Sequence, residues 1–253
     1  MVTGGRFYYG AEVLTTRALA APDSASPSVR LARTLLEDPR IGWVSITDSP
    51  GGVPTLPPDW LAGQLAAKRS QIVLHVTCKD TNRNGLEVAA WRYAAEGFDN
   101  LLALTGDYPS SGFGGVAEPV FDLDSIGLIA LLRSMNEGLK IRGRRGAVET
   151  LPKTSFFIGC AVSPFKRYER ELMPQYFKLL RKIAAGADWV IPQLGYDMRK
   201  FHEVKLLLAS RGLQVPVVGN VFVLGRTVAK AFRSGQPPGC VISSRSRNDI
   251  TLC

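Results

Sequence analysis

Histidine and cysteine are both scarce in this chain of 253 residues. It has two histidines, and its four cysteines (Cys78, Cys160, Cys240 and Cys253) are scattered, with no pair at metal-ligand spacing. A histidine-rich metal centre is therefore not expected, and no metal ligand is assigned. No uninterrupted apolar run approaches the ~18 residues a membrane span requires, so no membrane partner is expected. The opening Met1-Val2-Thr3-Gly4-Gly5-Arg6 lacks the apolar core of a secretory signal, which makes a cytoplasmic location the expectation. No Gly-x-Gly-x-x-Gly follows the first predicted strand, which argues against a dinucleotide-binding Rossmann domain.

What the chain does have is apolar content and positive charge. Hydrophobic residues make up 45% of it, and with a mean hydropathy near zero it can bury a sizeable core rather than remain disordered. Thirty-one Lys and Arg against 22 Asp and Glu leave a net charge of +9, which favours anionic ligands. The densest basic cluster, Lys140, Arg142, Arg144 and Arg145, reads as a solvated loop. It has no aromatic interleaving and belongs to no nucleic-acid module, so no nucleic-acid partner is expected.

The organising pattern is a series of apolar runs that each end in small polar residues. Leu101-Leu102-Ala103-Leu104 runs into Thr105-Gly106-Asp107, which delivers a carboxylate at a strand's C-terminal end. Ile46-Thr47-Asp48, His75-Val76-Thr77-Cys78, Cys160-Ala161-Val162-Ser163 and Ile191-Pro192-Gln193 repeat it. In open α/β sheets and β/α barrels that rim is where ligands sit; turns are also polar for their own reasons, so each edge taken singly is weak.

Taken in order, strands are predicted at 7–14, 43–47, 71–77, 101–104, 156–162, 189–193 and 215–218. Helices are predicted at 29–37, 58–68, 86–96, 126–135, across 164–186, at 200–210 and at about 226–233. Asp124 or Ser125 is placed to cap the fourth of these. Glu12 lies inside the first strand, where a buried unpaired charge would be costly, and either faces a polar rim or points outward. His75 sits near the end of the third, as a ligand contact or as a core histidine. Residues 110–119, with Gly112, Gly114 and Gly115, suggest a ligand loop or lid.

Seven βα units in one chain imply an α/β, TIM-type (β/α)8 barrel lacking its last unit. The expectation is a single barrel domain over 1–253 with an irregular tail at 241–253. Strands one and seven would then be left open, and a partner subunit or a second copy would complete the barrel.

The ordered strand ends resemble the methylenetetrahydrofolate reductase family of flavoprotein barrels. The matching pieces are Glu12, Ser45-Ile46-Thr47-Asp48, the stretch His75 to Asp80 with Asn82-Arg83, Asn100 to Pro109, Phe157 to Val162, and Lys182 to Asp188 continuing to Gln193 and Asp197. The resemblance implies a barrel holding FAD at the C-terminal rim and reducing 5,10-methylenetetrahydrofolate to 5-methyltetrahydrofolate. It places the protein in the one-carbon metabolism that feeds methionine biosynthesis, with NAD(P)H or another electron donor. Carried over by position, Glu12 matches the general acid and Asp107 an aspartate beside the flavin and pterin. Thr47 and His75 match flavin contacts, and Gln193 matches a pterin-binding glutamine. This sequence departs from the family pattern where Arg-Gly-Asp becomes Thr105-Gly106-Asp107, where Val13-Leu14-Thr15-Thr16 follows the glutamate, and after Ile242. A non-catalytic or partner-dependent barrel subunit and a pterin-binding methyltransferase are the competing readings.

Overall fold

The computed structural model describes residues 8–19, 26–66, 68–143, 146–166, 168–222 and 225. The chain divides into two compact units, Met1–Ile158 and Gly159–Cys253. In the first, β1 (Tyr9–Val13), β2 (Ile41–Ile46), β3 (Ile72–Thr77) and β4 (Asn100–Leu104) lie side by side in sequence order, all parallel. Helices α1 (Pro27–Glu37), α2 (Pro58–Gly63) and α3 (Arg83–Ala95) connect them, and α4 (Ser125–Glu137) follows β4. This is the β/α repeat of a TIM-type barrel, as the sequence predicts.

Every residue of β3 is buried, as expected of a parallel strand covered on both faces. Val44, Ile46, Ile72, Leu74, Leu101 and Ala103 are all buried in the core of this unit. The helices start where their caps dictate. Ser26 accepts from the Val29 N–H ahead of Pro27, and Asn82 accepts from the Gly85 N–H. At α4 the capping residue is Asp124, whose carboxylate accepts from Ile126 and Gly127; such caps stabilise a helix by about 1 kcal/mol.

The predicted 58–68 helix is shorter than expected. It closes in i→i+3 bonds, Gln64 N–H to Leu61 O and Leu65 N–H to Ala62 O, and the Arg69 guanidinium also donates to the Ala62 carbonyl. A single 3-10 turn at Arg69–Gln71 then leads into β3. The basic stretch at 140 is also more ordered than a loop. Residues Lys140–Arg142 (β5) and Val148–Thr150 (β6) form a small antiparallel hairpin, whose side chains remain largely exposed.

In the second unit, β7 (Phe157–Val162, entering from the first unit) pairs in parallel with β8 (Trp189–Pro192). The helices here are α5 (Glu169–Ala184) and α6 (Met198–Ser210). α5 starts later than predicted, at Tyr168, whose N–H is taken by the Glu171 carboxylate. The predicted 215–218 strand is reduced to one parallel bridge, Val190 to Val217. Pro216 lacks a donor, which limits the ladder to the bonds Val190 N–H to Pro216 O and Val218 N–H to Val190 O. The predicted helix at 226–233 and the tail at 241–253 lie outside the described residues.

Candidate functional site

Parallel register decides which side chains of the first unit share a face. Glu12 pairs with Ser45, and Ser45 with Val73, so the three form one row across β1, β2 and β3. Side chains two residues on return to the same face, which puts Thr47 and His75 next to one another one row nearer the C-terminal end. The geometry agrees. His75 Nε2 lies 3.9 Å from Glu12 Oε2.

Three of the five residues singled out from the sequence thus gather at one rim. Thr47 and His75 are buried, at 4% and 6% exposure, and Thr47 Oγ1 and His75 Nε2 have no hydrogen-bond partner. Leaving a buried polar atom unsatisfied costs about 1–3 kcal/mol. Two such atoms in adjacent positions beside a carboxylate make this rim the candidate site.

Burial sets the protonation states. It lowers the His75 pKa to about 4, so the imidazole is neutral. It raises the Glu12 carboxyl above its ordinary value. Half of the Glu12 side chain, 52%, remains accessible, so its desolvation is that of a concave mouth rather than a sealed core. The outcome is a carboxylic acid inclined to hold a proton beside a neutral ring nitrogen.

Asp107 is placed differently. Its Oδ2 accepts from the Gly51 N–H at 2.8 Å, and its neighbour Ser110 donates through Oγ to Gly51 O and through N–H to Gly52 O. The loops after β2 and β4 are therefore laced together. Gly52 has φ +73, and any side chain there would collide with the Tyr108 carbonyl, so the lacing depends on glycine. The loops after β1 and β2 are joined in the same way, by Thr15 Oγ1 to Thr55 Oγ1 and Leu56 N–H to Thr16 O.

Asp48 is a positioning residue not assigned from sequence. Its Oδ2 accepts from both the Thr77 N–H (3.1 Å) and the Thr77 hydroxyl (2.6 Å), fixing the ends of β2 and β3 relative to each other. The signal was present in Thr47-Asp48 and Thr77, two polar strand ends that pair in space, but nothing in a linear sequence assigns a carboxylate to a hydroxyl 29 residues away.

In the second unit, Gln193 follows β8. Its N–H donates to Val162 O and its Oε1 accepts from its neighbour's Leu194 N–H at 2.8 Å. Lys182, buried in α5, donates to Ala161 O at 2.6 Å. Burial pushes the Cys160 thiol up to about 11, against the pull of Lys182, so it is not a nucleophile at neutral pH. A cavity of ≈ 360 Å³ between the start of α5 and α6, lined by Lys166, Tyr168, Glu169, Leu172, Lys200 and Glu203 among others, contains none of the assigned residues. Among the described residues, no group of three or more His, Cys, Asp or Glu side chains converges to hold a metal ion.

Comparison with known proteins bears on this arrangement. The family description of methylenetetrahydrofolate reductase matches residues 19–234. The chain belongs to that family. It is 25% identical over 148 residues to the 5,10-methylenetetrahydrofolate reductase of Pectobacterium carotovorum subsp. carotovorum; the match covers 58% of this chain but only 42% of the relative. Among solved structures, a protein from Clostridium thermocellum that binds two copies of 5-methyl-5,6,7,8-tetrahydrofolic acid superposes with a TM-score of 0.65. That superposition covers 97% of this chain and 76% of the other, at 12% identity. A likeness at that identity concerns the fold.

Within this methylenetetrahydrofolate reductase family member, Thr47, His75, Asp107 and Gln193 fall inside the matched segment and Glu12 falls ahead of it. The place of Glu12 at the rim therefore rests on its register with Ser45 and its approach to His75. No helix among the described residues is long and apolar enough to cross a membrane.

Proposed function

We propose that this protein is a folate-binding enzyme that reduces 5,10-methylenetetrahydrofolate to 5-methyltetrahydrofolate with a flavin. What supports this reading above all is the approach of Glu12 to His75 beside two buried, unsatisfied polar atoms. Family membership supports a folate-related substrate.

The residues fit the heterocycle of such a cofactor. Thr47 Oγ1 can donate or accept, and neutral His75 offers one donor and one acceptor, which matches the alternating donors and acceptors on the edges of flavin and pterin rings. The flavin, when bound, supplies the hydride chemistry. The chain's own part is to hold Thr47 and His75 against the heterocycle, to keep water from them by burial, and to hold a proton on Glu12. A carboxylic acid whose pKa is raised can protonate the nitrogen of the folate's five-membered ring, which opens that ring to the iminium form. A neutral His75 leaves the proton on Glu12, whereas an imidazolium beside it would favour the ionised carboxylate. NAD(P)H or another donor is the proposed electron source.

The runner-up is a folate-binding barrel without flavin turnover. Two observations favour it: Asp107 is engaged with the Gly51 backbone, and the Thr105 hydroxyl donates to Ser125. The visible spectrum separates the two. A purified protein with flavin bands that bleach on reduction and reoxidise on adding methylenetetrahydrofolate supports the reductase. A colourless protein that binds 5-methyltetrahydrofolate, and takes up no added FAD, would overturn it in favour of the runner-up.

A further inference from the structure

The exits of β7 and β8 hold two polar side chains, of which only Gln193 has so far been given a role. The strands run in register from Gly159 beside Trp189 to Val162 beside Pro192. The ladder reaches one residue further, because the Gln193 N–H donates to Val162 O at 2.6 Å. Ser163 precedes Pro164, which favours extended backbone at that position. Ser163 and Gln193 are therefore neighbours, on strands about 4.8 Å apart.

Strand alternation places the pair on one face with Gly159, Ala161, Trp189 and Ile191. The opposite face, Cys160, Val162, Val190 and Pro192, is wholly buried. On the Ser163 side, Gly159 lies against the Trp189 indole, with which any side chain at 159 would collide. The indole is a floor, only 1% exposed. Above it Ala161 and Ile191 are half-buried and Gln193 is exposed. The face thus opens toward the strand ends, and the small residues of β7 leave room on it.

Ser163 Oγ is closed to solvent and has no hydrogen-bond partner among the described residues. Ser163 as a whole is only half-buried, so the hydroxyl lies just beneath the surface and not in the core. Gln193 supplies the complement. Its Oε1 accepts from the Leu194 N–H at 2.8 Å, while its NH2 has no partner among the described residues. An amide whose oxygen is engaged in this way presents donors. A ligand edge with an N–H beside a C=O needs an acceptor as well, and a serine hydroxyl can accept. That edge, a cyclic lactam, is common to flavin and pterin.

We propose that Ser163 is a binding residue that reads a lactam edge together with Gln193. Its Oγ accepts from the ring N–H while the Gln193 NH2 donates to the adjacent carbonyl oxygen. The inference rests on the flavin and folate reading given above, and the two heterocycles are the two sources of such an edge.

Calorimetric titration tests it with FAD, with 5-methyltetrahydrofolate, and with the N3-methyl derivative of each, which keeps the ring and the arm but has no lactam N–H. Ser163→Ala should weaken one parent ligand about fivefold to tenfold and change its N3-methyl derivative less than about twofold. The parent affected identifies the ring. Ser163→Thr, which keeps a hydroxyl, should restore the affinity. Without ligand the Ala variant should melt at or above the wild-type temperature, because no internal hydrogen bond is lost. Wild type that binds a parent ligand, with an Ala variant that leaves both parents unchanged or weakens parent and derivative alike, would overturn the inference while leaving the ligand site standing. An Ala variant that melts lower without ligand would do the same, since the hydroxyl would then have an internal partner. Wild type that binds neither parent would overturn the ligand reading and the inference with it.

Discussion

The strand ends of the two units handle their polar groups differently. In the first unit, Thr47 Oγ1 and His75 Nε2 are buried without partners, next to a carboxyl whose pKa is raised. In the second, Gln193 Oε1 accepts from the Leu194 N–H and Lys182 Nζ donates to Ala161 O; among the described residues Ser163 Oγ is a buried unsatisfied hydroxyl there. A rim that satisfies itself can be stable alone. A rim that does not is held by the rest of the fold in a state that a ligand improves. The contrast supports placing the proposed chemistry in the first unit, with backbone bracing in most of the second. It is open to attack at several points.

The largest expected effect comes from Glu12→Gln, which keeps the shape and removes the proton. Folate turnover should fall by about 10²–10⁴-fold, with flavin and folate affinity nearly unchanged and reduction of the flavin by its donor retained. In the wild type, turnover should decline on the alkaline side as Glu12 ionises, at a pH above the 4.5 of an ordinary glutamate. Steady-state rates against pH, beside separate half-reactions, check both. Unchanged turnover in the Gln variant would make Glu12 an ordinary strand residue and remove the reason for assigning the chemistry to the first unit.

Next in size is the acid sensitivity conferred by His75. Its folded pKa, about 4, lies below the 6.5 of the unfolded chain. The unfolded state therefore binds the proton first. The His75 contribution is intact above pH 6.5 and is lost as the pH falls toward 4, by on the order of 3 kcal/mol in total. Glu12 works in the opposite direction: its raised pKa gives a stability present below pH 4.5 that is lost as the pH rises through its folded value. Urea unfolding of wild type and His75→Leu from pH 7 to 4 checks the sign. The variant should lose markedly less stability over that interval, and equal slopes would show that His75 is not held neutral.

How far the sequence disclosed this depends on what kind of fact is asked for. The order of the first six βα strands, the strands that lead to Thr47 and Asp107 and the one that carries His75, and the capping of α4 follow from periodicity and local chemistry, and these are found. The helix expected to reach Lys68 ends at Gly63 in i→i+3 turns, with Arg69 also donating to the Ala62 carbonyl, a closure that periodicity does not report. The approach of Glu12 to His75 is legible only through strand register, and no periodicity reports which residue of β1 faces which of β2. Asp107 illustrates the limit most clearly. Its position at a strand end was plain, yet its 2.8 Å bond to Gly51 depends on two loops meeting in space.

Thr47→Val should have a smaller effect, in two directions. It exchanges an unsatisfied hydroxyl for a methyl group at nearly constant volume. The ligand-free protein should be unchanged or more stable by about 1 kcal/mol, because no internal hydrogen bond is lost. Ligand affinity should drop about fivefold to tenfold, as one hydrogen bond to the heterocycle disappears. Thermal melts with and without FAD or 5-methyltetrahydrofolate report both. A variant destabilised without ligand would mean that the hydroxyl has an internal partner.

The weakest expected effect belongs to Gln193, and it probes the second unit's side of the comparison. Its Oε1 accepts from the Leu194 N–H at 2.8 Å, which orients the amide. Gln193→Glu retains an acceptor for the Leu194 N–H while removing the amide donor. If the residue both braces the loop and donates to a pterin, the variant should melt like wild type and bind 5-methyltetrahydrofolate about fivefold more weakly, one hydrogen bond's worth. Gln193→Ala removes the brace as well, and should add a stability loss of about 1 kcal/mol. Should Glu bind folate as tightly as wild type while Ala alone loses stability, Gln193 is a brace only, and the difference between the two rims is sharper than the sequence resemblance implies.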